Sequence, residues 1–519
     1  MSQMATIPEW ESIQMGSMSD TELYRHFMFL GETGSGKTVS GIQPLCRLAF
    51  SSQKELQSAG LVIDPKSEIG DYIASFLGGQ AEKRMIRIKS DKPSPVLWQF
   101  ENISIEGRNG KSLMEEIMIF ADSYNGQKES TRDRFWVDNS SQIISEIISI
   151  DVALFNHTNG LGIQNIDRFW FNFYACLEMC SAESGTEKSQ ILITALNDRR
   201  FPSCLLTCLM KNTSGCDEPD YPGKVVYRKE NYLSHIAKLM DVSTYMGAGF
   251  LKSGNVSLTE TSGSRAYNNF WAFFIVYLEA YTIDGTHLLA DQTSCFRQFT
   301  CMEDGTYSSI MSVFSSLINE FIDKEFFSKV SINPFEGPDE ILSSKQVIEN
   351  GQIVVYEPGL VTSVTACVGK VLKAGFFKAL LVSERINNPE VRSFFYICDE
   401  FHRFITHDEQ SGEQSLLDRC RAYRVCCALA TQSISSLRYA FAGEKGNQAI
   451  NILIANTGTK FFFRSTDPGT TSMLMDLIPE PYGKERPHVV RVRPPATLQP
   501  GECYYVLVNG RVGRGQVMV

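Results

Sequence analysis

The sequence predicts an α/β protein whose mainly parallel sheet is divided by a large, mostly helical insertion. An apolar run at 27–30 leads directly into the glycine-rich segment "GETGSGKT" at 31–38, the order expected of a strand, a turn and a helix start. Further strand-like runs alternate with helical patterns at 61–64, 84–89 and between 351 and 508. Between 101 and 345, apolar residues recur mostly at helical spacing. We therefore expect an N-terminal extension at 1–20, a sheet domain formed by 21–100 and 346–519, and a helical inserted domain at 101–345.

The glycine-rich segment fits the phosphate-loop pattern G-x-x-x-x-G-K-[ST] at every position. Its glycines permit backbone angles at which successive N–H groups converge on phosphate oxygens. Lys37 would reach the β and γ phosphates, and the Thr38 hydroxyl would hold Mg²⁺. The alternative is a flexible glycine loop that happens to contain these residues. We expect a Walker A site for ATP made of Gly31, Glu32, Thr33, Gly34, Ser35, Gly36, Lys37 and Thr38.

Acidic residues follow the apolar run at 394–398, as expected for the Walker B element that a phosphate loop needs. Asp399 would bind the metal through water, and Glu400 would polarise the attacking water. The alternative is a strand that ends in two solvated acids. The next predicted strand ends at Gln432, whose amide would either sense the γ phosphate or simply end the strand.

Composition limits the classes of function. A formal charge of −10 excludes a surface that is basic all over, although a basic pore or groove stays compatible with it. Basic residues cluster at 83–92 and in the tail, and they are either DNA contacts or ordinary solvated faces; those of the tail are Lys484, Arg486, Arg491, Arg493, Arg511 and Arg514.

The lack of a recognisable signal peptide and the pattern of cysteines predict a cytoplasmic location. The first 25 residues lack the features of a signal peptide, and the most apolar window, 270–281, is too short to span a bilayer and contains Glu279. The 14 cysteines are scattered, as in proteins of a reducing compartment. Five of them suit either a zinc site or the buried face of a helix, namely Cys176, Cys180, Cys204, Cys208 and Cys216.

Several motifs together resemble the coupling ATPases of conjugation and type IV secretion, the TraD/TraG kind, within the FtsK/HerA class of motors. In family order, and within about residues 24–508, they are "GETGSGKT", "VIDPKSE", "DRFWVDNSSQII", "FFYICDEFHRF", "LLDRCRAYRVCCALATQSISSL" and "TGTKFFFRSTD". The resemblance implies a RecA-like motor domain with a helical insertion, assembled as a hexameric ring that hydrolyses ATP with Mg²⁺. It also implies an arginine that completes the neighbouring subunit's site. Arg421 and Arg464 match the two motif positions for it.

The chain departs from the family pattern at several places. Coupling proteins usually carry a transmembrane segment before the phosphate loop, whereas 30 residues precede Gly31 here. We therefore expect membrane association only through a partner protein. Ser67 and Arg424 stand where the family usually has glycine, which puts the shape of those two turns in doubt. The insertion also looks longer than the family norm, which suggests a specialised partner surface.

Three hypotheses for the function follow. The first is a hexameric motor that moves DNA, or DNA with protein, towards a secretion apparatus. The second is a nucleotide-switched platform that recruits protein substrates. The third is a HerA-like motor of DNA processing or defence without a membrane anchor. DNA-stimulated ATP turnover favours a motor, whereas nucleotide-dependent binding of a substrate protein that ignores DNA favours the platform.

Overall fold

A computed structural model gives the structure of the chain. It describes residues 13–14, 18–51, 57–90, 97–98, 131–156, 169, 271, 274–275, 277–279, 281, 288–300, 302, 305–313, 341–406, 413–441, 444–477 and 494–518. The chain divides into two compact units. Residues 1–96, 122–127 and 340–519 form the first, and residues 97–121 and 128–339 form the second.

The first unit contains a nine-stranded sheet. Its strands, in chain order, are β1 (Phe27–Leu30), β2 (Ala59–Ile63), β3 (Met85–Lys89), β4 (Ile353–Glu357), β5 (Phe394–Cys398), β6 (Val425–Thr431), β7 (Thr459–Phe462), β8 (Cys503–Val506) and β9 (Val512–Gly515). The spatial order is β9-β8-β7-β1-β6-β5-β2-β4-β3. The seven strands from β7 to β3 run parallel, and the β8–β9 hairpin adds two antiparallel strands at one edge.

Helices cover both faces of this sheet, because alternate residues of its central strands are apolar on both sides. Phe395 on β5 packs edge-on against Phe50 of a helix on one face, at 5.9 Å between ring centroids. Its neighbour Phe394 packs against Phe376 on the other face, at 5.1 Å. Both faces are therefore dry, as in parallel sheets generally.

The helices of the first unit are short apart from one. They are α1 (Asp20–Leu23), α2 (Gln43–Phe50), α3 (Glu68–Leu77), α4 (Ala81–Arg84), α5 (Ser344–Asn350), α6 (Ser363–Leu380), α7 (Glu413–Cys420), α8 (Ile434–Ala440), α9 (Glu444–Asn456) and α10 (Pro468–Leu477). A π-helical turn, Thr38–Ile42, precedes α2, and 3-10 turns lie at Gly78–Gln80, Ser383–Arg385, Phe401–Arg403, Arg421–Tyr423 and Pro495–Thr497. Short strands lie at Ile13–Gln14, Ile341–Leu342 and Val517–Met518, the first of which pairs with the last.

The described part of the second unit is mostly helical. Its longest helix is Thr131–Asn156, where Ile143 and Ile147 are buried as their spacing predicts. A shorter helix is Ser294–Arg297, between the 3-10 turns Ala290–Thr293 and Gln298–Thr300, and a two-residue strand lies at Leu97–Trp98. Trp271 stacks on Phe296 in the interior of this unit, at 5.2 Å between ring centroids. The cysteines from 176 to 216 lie outside the described residues.

The predicted fold class is confirmed: the sheet is mainly parallel, and strands alternate with helices. Each strand expected before the phosphate loop and between 351 and 508 is present. The predicted domain limits stay predictions, because much of 101–345 lies outside the described residues. Among the helices that the structure describes, none has the length and hydropathy needed to span a lipid bilayer. Seven cysteines within the described ranges are free and buried, namely Cys46, Cys295, Cys398, Cys420, Cys426, Cys427 and Cys503.

Candidate nucleotide-binding site

The glycine-rich loop lies at the carboxyl edge of the parallel sheet, between β1 and the turn that begins at Thr38. Gly34 and Gly36 adopt positive φ angles of 76° and 85°, which a side chain would strain. A Cβ on Gly36 would lie 2.4 Å from the backbone nitrogen of Gly501, so this position also has no room for a side chain. The loop is thus held against the segment before β8, where Gly501 N donates to Ser35 O at 2.9 Å.

Lys37 and Thr38 both face Asp399 at the end of β5. Lys37 Nζ lies 3.7 Å from Asp399 Oδ1 and donates to Gly31 O at 3.3 Å, and its side chain is 5% exposed. Thr38 Oγ1 lies 3.5 Å from Asp399 Oδ2. These oxygens are hard ligands of the kind that Mg²⁺ prefers, so the residues present fit that ion. The structure therefore brings the predicted Walker A and Walker B residues together.

Glu400 lies beside this group in a strained backbone conformation. Its φ angle is 52°, in the left-handed region, and its side chain is 8% exposed. Gln432 Nε2 donates to Glu400 Oε2 at 2.9 Å, and Lys66 Nζ lies 3.9 Å from Oε1. A non-glycine residue in this conformation costs about 1–3 kcal/mol and is typical of functional sites. Gln432 is thus next to the acidic residue, as its predicted strand position requires.

Asp64 adds a third carboxylate on the same side of the sheet. Ile63, the last residue of β2, pairs in register with Cys398, the last residue of β5. Asp64 and Asp399 come directly after these two strands and therefore lie side by side. Asp64 Oδ2 accepts from the backbone nitrogens of Ile69 and Gly70 at 2.8 Å each. Burial, opposed by these bonds and assisted by Glu357 and Asp399, raises the pKa of Asp64 to about 6. Its Oδ1 is buried and has no hydrogen-bond partner among the described residues.

The two candidate arginines lie at opposite edges of the sheet. Arg464 follows β7 at the carboxyl edge, where its carbonyl accepts from Glu32 N at 3.0 Å. Hydrogen bonds from Thr466, assisted by the charge of Arg464, lower the pKa of Glu32. Arg421 is exposed and precedes β6 at the amino edge. The seven residues of β6 separate Arg421 from its own phosphate loop by about 20 Å, which no side chain spans.

The basic segment at 83–92 is largely engaged in internal contacts. Arg84 donates to the carbonyl oxygens of Phe50, Ser58 and Gly351. Arg87 makes two bonds to Glu357, and Lys89 Nζ lies 3.5 Å from the same carboxylate. These three residues therefore have partners within the chain, and DNA contact by the segment stays a prediction.

Little of the basic tail lies within the described residues. Lys484, Arg486, Arg491 and Arg493 fall outside them. Arg514 is described, and its Nη2 bonds to Glu502 at 2.9 Å.

Ser67 and Arg424, which replace family glycines, keep the backbone that glycine would adopt. Their φ angles are 61° and 57°, both in the left-handed region. The two turns therefore keep the backbone conformation that glycine favours. The side chains of Ser67 and Arg424 add strain to this conformation but do not change it.

Comparisons with known proteins found a matching family model and structures of similar fold. Residues 393–482 match the family model described as the TraM recognition site of TraD and TraG. This segment holds Asp399, Glu400, Gln432 and both arginines. No curated protein matches the chain by sequence.

Solved structures of the plasmid coupling protein TrwB have the same fold. The unbound bacterial conjugative coupling protein TrwBdeltaN70 is 12% identical with a TM-score of 0.50, over 99% of this chain and 89% of that one. TrwB with the GTP analogue GDPNP is 11% identical, and TrwB with ADP and Mg²⁺ is 12% identical, each with a TM-score of 0.52 over 99% of this chain and 90% of that one.

The predicted resemblance to the coupling ATPases is confirmed. At these identities the likeness to TrwB concerns the fold, a RecA-like phosphate-loop fold. The roles of individual residues, by contrast, stay predictions.

Sequence reasoning missed three side chains of the site. Asp64 and Lys66 were visible only as part of the motif "VIDPKSE", with no signal of what they contact. His402 lies within "DEFHRF", and only the structure shows that it faces Glu400.

Proposed function

We propose that this protein is an ATP-hydrolysing, hexameric motor of the coupling-protein kind. It would translocate DNA, or DNA with attached protein, towards a conjugation or type IV secretion apparatus. The observation that carries the proposal is the meeting of Lys37, Asp399 and Glu400 at one edge of the sheet. Those side chains supply the phosphate contact, the metal ligand and the base that hydrolysis of a nucleoside triphosphate needs.

Each residue has a definite task in this mechanism. Lys37 and the backbone N–H groups of the glycine loop bind and orient the phosphates of ATP. Thr38 and Asp399 would hold Mg²⁺, which neutralises charge on the β and γ phosphates. Glu400 accepts the proton of the attacking water through a carboxylate oxygen. Gln432, bonded to Glu400, is placed to respond to the γ phosphate.

We assign the trans arginine to Arg421 rather than to Arg464. Arg421 is exposed and lies at the edge opposite to its own phosphate loop, so any contact that it makes with a bound nucleotide must be in a neighbouring subunit. Arg464 lies beside its own loop, where its charge acts on Glu32. A head-to-tail ring would bring the amino edge of one subunit to the carboxyl edge of the next.

The proposal is tested by the ATP turnover of the purified chain with and without single- and double-stranded DNA. Turnover is measured at about 50 and about 200 mM salt, a range over which phosphate contacts weaken strongly. Stimulation that is lost at the higher salt and abolished by Glu400→Gln supports a DNA motor. Turnover that is unchanged in Glu400→Gln would overturn the assignment of the site.

A mixing experiment tests the trans arginine. Inactive Arg421→Ala subunits are mixed with inactive Glu400→Gln subunits. Because each type retains what the other lacks, mixed rings should regain part of the turnover. No recovery in mixed rings of verified size would contradict the trans assignment, and recovery with Arg464→Ala instead would transfer the role.

A second candidate function is nucleotide-switched recruitment of a protein partner. The family model that matches residues 393–482 is described as a TraM recognition site, which favours a relaxosome protein as that partner. Turnover that depends on Glu400 but ignores DNA, together with nucleotide-dependent binding of a TraM-like protein, would favour this function over translocation.

A further inference from the structure

His402 lies next to the proposed base, although nothing in the proposed mechanism uses it. It belongs to the 3-10 turn Phe401–Arg403, directly after Glu400. The left-handed conformation of Glu400 reverses the chain, so the imidazole folds back over the carboxylate. His402 Nε2 lies 3.6 Å from Glu400 Oε2, and its side chain is 14% exposed.

The other ring nitrogen contacts the neighbouring strand. His402 Nδ1 lies 3.1 Å from Oγ1 of Thr431, the last residue of β6, which is 1% exposed. The imidazole therefore bridges the end of β6 and the acidic turn after β5. Because both contacts come from buried groups, the ring has little freedom to turn away.

The protonation of the ring follows from its surroundings. Burial, with help from the charges of Arg403 and Lys37, lowers the pKa of His402, while Glu400 and Asp399 oppose that shift. The imidazole is then neutral near pH 7, with one nitrogen donating and the other accepting. A lone pair on Nε2 would repel the carboxylate, so we assign the hydrogen to Nε2 and let Nδ1 accept from the Thr431 hydroxyl. Nε2–H thus points at Glu400.

Gln432 and His402 converge on the same oxygen, Glu400 Oε2. The distance from His402 is longer than a hydrogen bond, whereas Gln432 lies at bonding distance. If Gln432 turns towards the γ phosphate, as its proposed role requires, Oε2 loses its present donor. His402 is the nearest replacement, and catalytic contacts of this kind commonly shorten when substrate binds.

We propose that His402 is a positioning residue that holds Glu400 Oε2 when Gln432 turns to the γ phosphate. The other oxygen, Oε1, then stays directed at the attacking water. The inference rests on the ATP hydrolysis proposed above. Thr431 contributes indirectly, because its hydroxyl selects the tautomer with hydrogen on Nε2.

Substitutions at His402 separate positioning from packing. The Gln amide reaches towards the place of Nε2, whereas the shorter Asn amide reaches only the place of Nδ1. We expect His402→Asn and His402→Phe to lower kcat by about 10- to 100-fold, the upper figure being that of a catalytic group misplaced by about 1 Å. The KM for ATP and the Kd of a fluorescent ATP analogue should stay unchanged. His402→Gln should keep most of the turnover.

The matched control is Arg403→Gln, which changes the exposed residue of the same turn, whose side chain donates to Val361 O. At about pH 8, where the imidazole is neutral with or without the charge of Arg403, this change should leave kcat and the melting temperature unaltered. Equal loss of kcat in the Asn and Gln variants, or no loss in either, would overturn the inference. In the same experiments the wild type must hydrolyse ATP, and Glu400→Gln must have lost most of that turnover. If either condition is not met, the proposed hydrolysis is contradicted rather than the role of His402.

A double-mutant cycle gives a second test, and its first variant, Thr431→Val, leaves His402 itself in place. Thr431→Val keeps the shape but removes the hydroxyl, so kcat should fall severalfold. In the His402→Phe background the same change should have no further effect, because Thr431 acts through the imidazole. Independent, multiplying effects of the two substitutions would contradict the bridge.

Discussion

The two edges of the parallel sheet bury similar charged side chains but give them different partners. At the amino edge, Arg84 and Arg385 are almost fully buried, and both donate to main-chain carbonyls. At the carboxyl edge, Lys37 is buried to a similar degree but faces the carboxylate of Asp399. A cation bound by carbonyls fixes loops in place, whereas a cation facing a carboxylate can exchange it for a phosphate. The partner of a buried charged residue, more than the extent of its burial, therefore indicates whether that residue stabilises the fold or takes part in catalysis.

The largest expected effect is at the carboxyl edge. Glu400→Gln should lower kcat by about 10² or more through loss of the base, while the affinity for ATP is retained. Lys37→Ala should instead weaken ATP binding by about 10²-fold, because it removes a charge-assisted contact. Steady-state turnover and titration with a fluorescent ATP analogue measure the two effects separately. Unchanged affinity in Lys37→Ala would count against the phosphate-loop assignment.

The matching substitution at the amino edge should affect stability instead. Arg84→Met keeps the apolar stem but leaves the carbonyls of Phe50, Ser58 and Gly351 without their donor. We expect the free energy of unfolding in urea to fall by about 3 kcal/mol. Turnover per folded molecule should be unchanged, and Arg47→Met, on the exposed side of α2, should change neither quantity. If Arg84→Met lost turnover but kept its stability, the amino edge would not have the purely structural role that we assign to it.

The two edges should also respond to pH with opposite signs. At the amino edge, burial lowers the pKa of His26 to about 4 from its ordinary 6.5. The unfolded chain therefore takes up a proton first, and stability falls as pH drops from 6.5 to 4. At the carboxyl edge, the raised pKa of Asp64, about 6 instead of 3.8, adds stability as pH falls through 6.

Unfolding in urea at about pH 7.5 and about pH 5 tests these signs. The wild type should lose about 2 kcal/mol more over this range than His26→Gln does, because only the wild type carries the buried imidazole. The wild type should gain about 1 kcal/mol relative to Asp64→Asn over the same range. Parallel pH curves for the wild type and either variant would show that the buried group in question does not titrate as described.

The smallest expected effects come from the two strained turns, one at each edge. Ser67→Gly should raise the free energy of unfolding by about 1 kcal/mol, because it relieves a left-handed serine. Arg424→Gly should gain less, since it also removes the contact of the guanidinium with the Tyr24 ring, 5.5 Å from the ring centroid. Chemical denaturation of both variants measures the difference. Equal gains would mean that the Tyr24 contact contributes nothing.

Sequence patterns predicted most of the sheet because buried parallel strands are short apolar runs between turn signals. The exception is β9, Val512–Gly515, whose two glycines hide the strand. A Cβ on Gly513 would lie 2.1 Å from the Tyr505 hydroxyl, so the large ring on β8 accounts for the glycine opposite it. The need for glycine here depends on the residue of the neighbouring strand, so it cannot be recognised from the sequence of either strand alone.

The candidate site was predictable to a similar extent. Lys37, Thr38, Asp399 and Glu400 occupy motif positions, and the parallel sheet brings the ends of their strands to one edge. The bridge from Thr431 through His402 could not be predicted, because it depends on the backbone reversal at Glu400. The split of the arginines between the edges also required the strand order.

The place of β1 in the sheet bears on how the chain is made. Phe27–Leu30 is synthesised well before its neighbours on both sides, β6 and β7, which begin at Val425 and Thr459. At roughly 5–20 residues per second, the ribosome needs about 20–80 s to produce the roughly 400 residues that lie between β1 and β6. The strand before the phosphate loop therefore lacks both of its neighbours during that interval. A nascent chain that stalls before β6 would carry all the residues of the Walker A motif without a strand to hold them in place.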